Sequence, residues 1–155
     1  MLNLITDRTE ADVERWRMLH DKGWDAMTAS EQAEWVGGMK GAYKHTDMNR
    51  VESAVRDLAG RLAERGTVLS LSTKTDWTRT GWPTAADIDR YYRNVAAIRA
   101  AVQVDLKTPG VPTVASRFDH EQANNIEKIL LAVDKWLDQG EGSKMYSGDI
   151  YLGEV

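Results

Sequence analysis

Two glutamates stand in matching contexts, Asn49-Arg50-Val51-Glu52 and Asn124-Asn125-Ile126-Glu127, an N-x-[VI]-E pattern near the start of two predicted helices. Paired carboxylates held about 5–10 Å apart can run general acid–base chemistry on a glycoside. Such chemistry requires Glu52 and Glu127 to share an open cleft. Each glutamate directly follows a core position, where a carboxylate commonly reaches solvent or a basic neighbour, and many folds carry such carboxylates idly. The pair is therefore read as non-catalytic. Asn49 and Asn124, each three residues before its glutamate, read as polar residues bonding between helix and loop rather than as substrate ligands. Four matching residues do not establish a duplication.

Other chemistry is thinner. His20, His45 and His120 lie far apart, without the H-x-x-x-H or H-E-x-x-H spacing that puts two imidazoles on one helical face toward a metal. Gly37-Gly38-Met39-Lys40-Gly41 lacks the G-x-x-x-x-G-K-[ST] spacing of a phosphate loop and reads as a helix end. No G-x-S-x-G elbow occurs, and with zero cysteines there is no thiol nucleophile, disulfide or Cys-ligated metal. No metal or other cofactor is expected.

Tryptophan is the unusual ingredient, six against one phenylalanine. Trp16, Trp35 and Trp136 fall on inward faces, where burial of a large ring explains them. Trp77 and Trp82 flank Thr78-Arg79-Thr80-Gly81 in a polar loop before Pro83. Either they plug the end of the bundle, or with Arg79 they present an aromatic contact patch. Beyond the glycine-containing Gln139–Ser143 linker, residues 144–155 are apolar-aromatic and β-capable, with Tyr146, Ile150, Tyr151 and Leu152 as contact candidates. This tail either pairs with Thr67–Thr73 or adds a strand to another subunit.

The elements that must position these residues are mostly helices. Thr9 with Asp12 and Thr28 with Glu31 make capping boxes. They start two short helices, with Val13, Trp16, Leu19 and His20 on one face and Gln32, Trp35, Val36 and Met39 on the other. Gly23 stops the first, and Gly37, Gly38 and Gly41 loosen the end of the second. Three longer segments follow, with apolar residues at alternating steps of three and four. After Thr46 come Met48, Val51, Val55, Leu58 and Leu62, until Gly66. After Thr84, with Asp87 completing a capping box, come Ile88, Tyr91, Val95, Ile98 and Val102. After Asp119 come Ile126, Ile129, Leu130, Val133, Trp136 and Leu137, closed by Gly140. At about 20 residues and roughly 30 Å each, the three are expected to lie side by side as an antiparallel bundle. Thr67–Thr73 reads as a short strand or extended segment, and Lys107–Ser116, with Pro109, Gly110 and Pro112, as a connector.

The predicted architecture is thus mainly α: a bundle of three long helices with an N-terminal helical hairpin and a small extended or β element. It divides into a helical domain, 1–143, and an extended tail, 144–155. At 155 residues the chain suits one domain with a real core. Its net charge of −4 provides no basic field to recruit nucleic acid or anionic lipid. The longest apolar run, Ile129–Val133, is far short of a membrane span, and Met1–Thr9 has no secretion-signal pattern.

Read together, LITDRT (4–9), MTASEQAEWVGGMKGAYKHTDMNRVE (27–52), DWTRTGWPTAADIDRYYRNVAAIRA (76–100), ANNIEKILLAVD (123–134) and YSGDIYLGEV (146–155) resemble a module of phages and prophages of gut Firmicutes. It is of the kind encoded near tail or other virion structural genes. The resemblance implies a non-enzymatic, tail- or adhesin-associated part in the virion or host cytoplasm, working through a protein partner or as a homo-oligomer. It transfers no catalytic residue. Two other readings stand beside it: a phage-encoded inhibitor or regulator of a host protein, and a hydrolase built on Glu52 and Glu127.

Overall fold

The computed structural model describes residues 2–113 and 117–153, with side chains described through Gly140. It is mainly helical: α1 (Glu10–Lys22), a 3₁₀ turn at Trp24–Ala26, α2 (Ala29–Gly37), α3 (His45–Glu64), α4 (Ala85–Ala100) and α5 (His120–Gly153). Among the described residues there is no strand.

Local signals place most helix starts. Capping boxes form at Thr9/Asp12, Thr28/Glu31 and Thr84/Asp87, each with the threonine side chain on the N3 amide and the N3 carboxylate back on the cap amide. Asp119 caps α5 through the amide of Gln122. α3 begins earlier than Thr46 suggests, because Asp47 accepts from the Lys44 amide and makes Lys44 the cap. The α1–α2 hairpin encloses a small cluster of its own, Leu19, Met27 and Met39 with Trp16 and Trp35 against it. Val36, expected on the inward face of α2, is 74% exposed.

α3, α4 and α5 pack on one another around the main core, in which Val51, Val55, Leu58, Val95, Ile98, Ile126, Ile129, Leu130, Val133 and Leu137 are buried. The helices are not antiparallel. Arg50, early in α3, bonds Glu127, early in α5, while Arg61 bonds Asp134 and Arg65 bonds the Leu137 carbonyl further along both. α3 and α5 therefore run in the same direction. α4 enters from the same end, with Arg90 level with Glu52. Neighbouring parallel helices need a connection that travels the length of the bundle, and the segments after α3 and α4 do that work. Residues 69–77 alternate in exposure, with Leu69, Leu71, Thr73, Thr75 and Trp77 turned inward. Thr67–Thr73 is thus extended chain lying on the helices, without the ladder a strand requires.

A second extended segment, residues 2–8, lies on the bundle in an equivalent way, and the two share a T-D-x-T pattern at their ends, Thr6-Asp7-Arg8-Thr9 and Thr75-Asp76-Trp77-Thr78. Asn124 pairs with both backbone groups of Arg8, and Asn49 pairs with both backbone groups of Trp77. Three residues on from each asparagine, Glu127 accepts the Ile5 amide and Glu52 accepts the Lys74 amide. The N-x-[VI]-E pattern and the T-D-x-T pattern are two halves of one strap-and-helix unit, present twice. The asparagines bond between helix and extended chain, as their position before the glutamates suggested.

Glycine does more here than end helices. Gly140 does not close α5, which continues as helix to Gly153. A Cβ at Gly140 would lie 2.6 Å from Arg65 Nη1, so the missing side chain admits the guanidinium that bonds Leu137. Residues 144–153 are accordingly helical rather than an extended tail, while residues 154–155 lie outside the described residues. Gly41 meets the backbone of α1: a Cβ there would sit 2.0 Å from the Asp12 carbonyl oxygen.

Candidate functional site

The two carboxylates with chemical potential are sealed in separate clusters. Glu127 is 0% exposed, and its oxygens accept from the Ile5 amide, from Arg8 Nη2 at 2.8 Å and from Arg50 Nη2 at 2.7 Å. Asp47 completes this network, taking Arg8 and Arg50 on one oxygen. Burial works against the charge on Arg50, but hydrogen bonds to Glu127 and Asp47 outweigh it and hold the guanidinium above its ordinary value. Glu52 is 1% exposed. Arg90 clamps both of its oxygens at 2.8 and 2.9 Å, and Trp77 Nε1 and the Lys74 amide take the rest. Fork-on-carboxylate geometry satisfies acceptor and donor together and leaves no lone pair aimed at a substrate. The open cleft that carboxylate chemistry requires is absent from both. These charges instead pin the straps to the bundle.

Trp77 is therefore not part of an exposed patch. It is 5% exposed, with its indole nitrogen on Glu52, its backbone on Asn49 and its ring under Lys74 Nζ at 5.0 Å. Trp82, five residues on, is 86% exposed. The loop divides the two roles that its tryptophans could have shared.

Trp82 stands at the lip of a cleft of about 920 Å³ at the end of the bundle where α3 and α4 begin. The α1–α2 hairpin contributes Trp16 and Trp35, stacked at 6.3 Å with planes 14° apart. The approach to α3 contributes Tyr43, α3 itself contributes Met48, α4 contributes Ile88, Tyr91 and Tyr92, and the connector contributes Phe118. Phe118 meets Tyr43 edge-on at 4.8 Å and Tyr92 at 6.5 Å. The hydroxyls of Tyr43 and Tyr91 bond each other. Burial pushes both phenols above their ordinary range, so they present neutral hydroxyls. The charged side chains on the wall, Lys44 and Arg79, are cations. Neither has a carboxylate within salt-bridge distance among the described residues, although most of the chain's other arginines do.

Of the residues singled out from sequence, the structure brings Arg79 and Trp82 together at this cleft and removes Trp77 from it. Tyr146, Ile150, Tyr151 and Leu152 fall in the last turns of α5, where side chains lie outside the described residues. The wall residues Tyr43, Tyr91, Tyr92 and Phe118 carried no signal in the sequence as a group, because they come from three segments that only the fold juxtaposes. Among the described residues no cluster of three or more His, Asp or Glu is placed to hold a metal ion. No helix among them is long and apolar enough to cross a membrane. No known protein family matches the chain, and neither a curated protein nor a solved structure shows significant similarity to it.

Proposed function

We propose that the protein is a non-enzymatic structural or attachment module of a phage particle, tail- or adhesin-associated, that works by protein–protein contact through the aromatic cleft. The observation that carries this reading is Trp82, 86% exposed on the rim of a concave aromatic surface whose cations have no carboxylate within salt-bridge distance among the described residues. Exposed tryptophan and arginine beside a preformed apolar hollow are the composition of an interaction hot spot. The acid–base alternative loses its support, since Glu52 and Glu127 are each consumed by arginine and backbone donors.

The test is immunogold labelling and mass spectrometry of purified particles carrying either the unsubstituted chain or Trp82→Ala. Label on the tail or its fibres, reduced at least severalfold by Trp82→Ala while the melting temperature is unchanged, supports the reading. A protein missing from particles, or incorporated equally well without Trp82, overturns it.

A further inference from the structure

We infer that the aromatic cleft receives residues 144–155 of a second copy of this chain, joining copies head to tail. The inference rests on reading the cleft as a protein-contact site and names its occupant. The chemistry of the wall comes first. The charged side chains of the wall, Lys44 and Arg79, donate hydrogen bonds and accept none, while His45, Thr78 and the tyrosine hydroxyls are its neutral polar groups. A carboxylate, which only accepts, is well matched. Nucleic acid needs a cationic track along its backbone, and a chain of net charge −4 with two cations at the cleft does not offer one. The occupant is therefore a peptide in which bulky apolar side chains are flanked by acidic ones.

This chain contains such a peptide. Asp149-Ile150-Tyr151-Leu152-Gly153-Glu154 places a continuous apolar-aromatic triplet between two carboxylates. Unwound from the last turn of α5, where consecutive side chains would otherwise point to different sides, the triplet suits the ring-lined hollow and the carboxylates suit the two cations, so apolar and charge complementarity agree. The fold puts this segment far from its own cleft. α5 starts at the cleft end, where Asn124 meets Arg8, and reaches Arg65 at the far end of α3 by Leu137. Its remaining sixteen residues, Asp138 to Gly153, lead onward for about 24 Å. Docking is thus between copies. One copy gives its tail and the next gives its cleft, a heterologous contact that builds rings or open chains rather than closed two-fold dimers.

The experiment uses the full chain in sedimentation velocity, with two variants that disable opposite halves of the contact. Arg79→Glu with Trp82→Ala removes the cleft and keeps the tail, and Leu152→Asp removes the tail and keeps the cleft. The unsubstituted chain should associate with rising concentration, each variant alone should remain monomeric, and a mixture of the two should stop at a one-to-one dimer. A synthetic peptide of residues 144–155 should quench tryptophan fluorescence of the Leu152→Asp chain, binding at least about tenfold more weakly once Arg79 and Trp82 are changed. Circular dichroism of each variant confirms that it is folded. A monomeric unsubstituted chain, association untouched by either variant, a mixture that fails to dimerise, or a scrambled peptide that binds as well each overturns the inference. If the self-contact fails while particle incorporation still depends on Trp82, only the occupant is wrong; if incorporation ignores Trp82 as well, the contact function itself falls.

Discussion

Replacing Glu127 by Gln probes the cluster that holds the N-terminal strap. All four of its partners are donors: the Ile5 amide, Arg8 Nη2 at 2.8 Å, Arg50 Nη2 at 2.7 Å and Arg50 Nε at 3.2 Å. Glutamine keeps the size but exchanges one acceptor oxygen for an amide that must point its own hydrogens at donors. Charge is lost as well. Arg8 and Arg50 face Glu127 and Asp47 in a balanced set, and the substitution leaves two guanidiniums with one carboxylate. Arg8 has a side chain only 2% exposed and cannot turn to water. Breaking one side of a buried pair costs about 3–5 kcal/mol. At about 2–4 °C per kcal/mol for a chain of this size, the melting temperature should fall by roughly 6–20 °C. Circular dichroism melts at neutral pH read this directly, and proteolysis should cut before Thr9 in the variant first. Glu34→Gln, which removes an exposed partner of Arg15, is the control and should hardly move the melt. A Glu127→Gln chain melting within about 2 °C of the unsubstituted one would show that the network does not hold the strap.

Gly41→Ala should destabilise by about 2–4 kcal/mol, because the new Cβ meets the Asp12 carbonyl and the Val13 amide, backbone atoms that cannot rotate away; chemical denaturation measures it, and a neutral result would mean that α1 is free to move off the connector. Ile98→Asp or Val55→Asp should cost several kcal/mol, since both sites are sealed among helices and offer a carboxylate no partner; unchanged thermal stability in both variants would refute the core. Hydrogen bonds from Thr84 hold the Asp87 carboxyl below its ordinary 3.8, so this cap's contribution is complete above that pH and is lost as the pH falls below it. The melting temperature should decline on acidification, and Asp87→Asn should lower it at pH 6 while flattening part of that decline. At the alkaline end the sign is set by Tyr43 and Tyr91, whose raised values favour the fold below the ordinary 10 and cost stability as the pH climbs past it. A melt insensitive to pH between 9 and 11 would contradict their burial.

What the sequence determined by itself is local. The capping boxes at Thr9, Thr28 and Thr84 bind atoms three residues apart, and the alternating three-and-four spacing of Val51, Val55, Leu58 or Ile126, Ile129, Leu130, Val133 is a property of one helix at a time. Both can be read from a window of a few residues. The tertiary structure alone decided which way the helices run, because direction depends on where the connecting chain is pinned, and the pins are Asn49 and Asn124 reaching Trp77 and Arg8, partners 28 and 116 residues away. It also decided that Glu52 and Glu127 are structural. A carboxylate one step past a core residue goes to water unless an arginine meets it, and Arg90 and Arg50 come from other helices. Gly140 looked like a stop because glycine ends helices when nothing else is known; in the fold its bare Cα lies inside α5 against the Arg65 guanidinium, which arrives from the end of α3. The aromatic cleft belongs to the same class. Its rings gather from the hairpin, α4 and the connector only when three parallel helices set all three starts at one end, so no single stretch of sequence contains it.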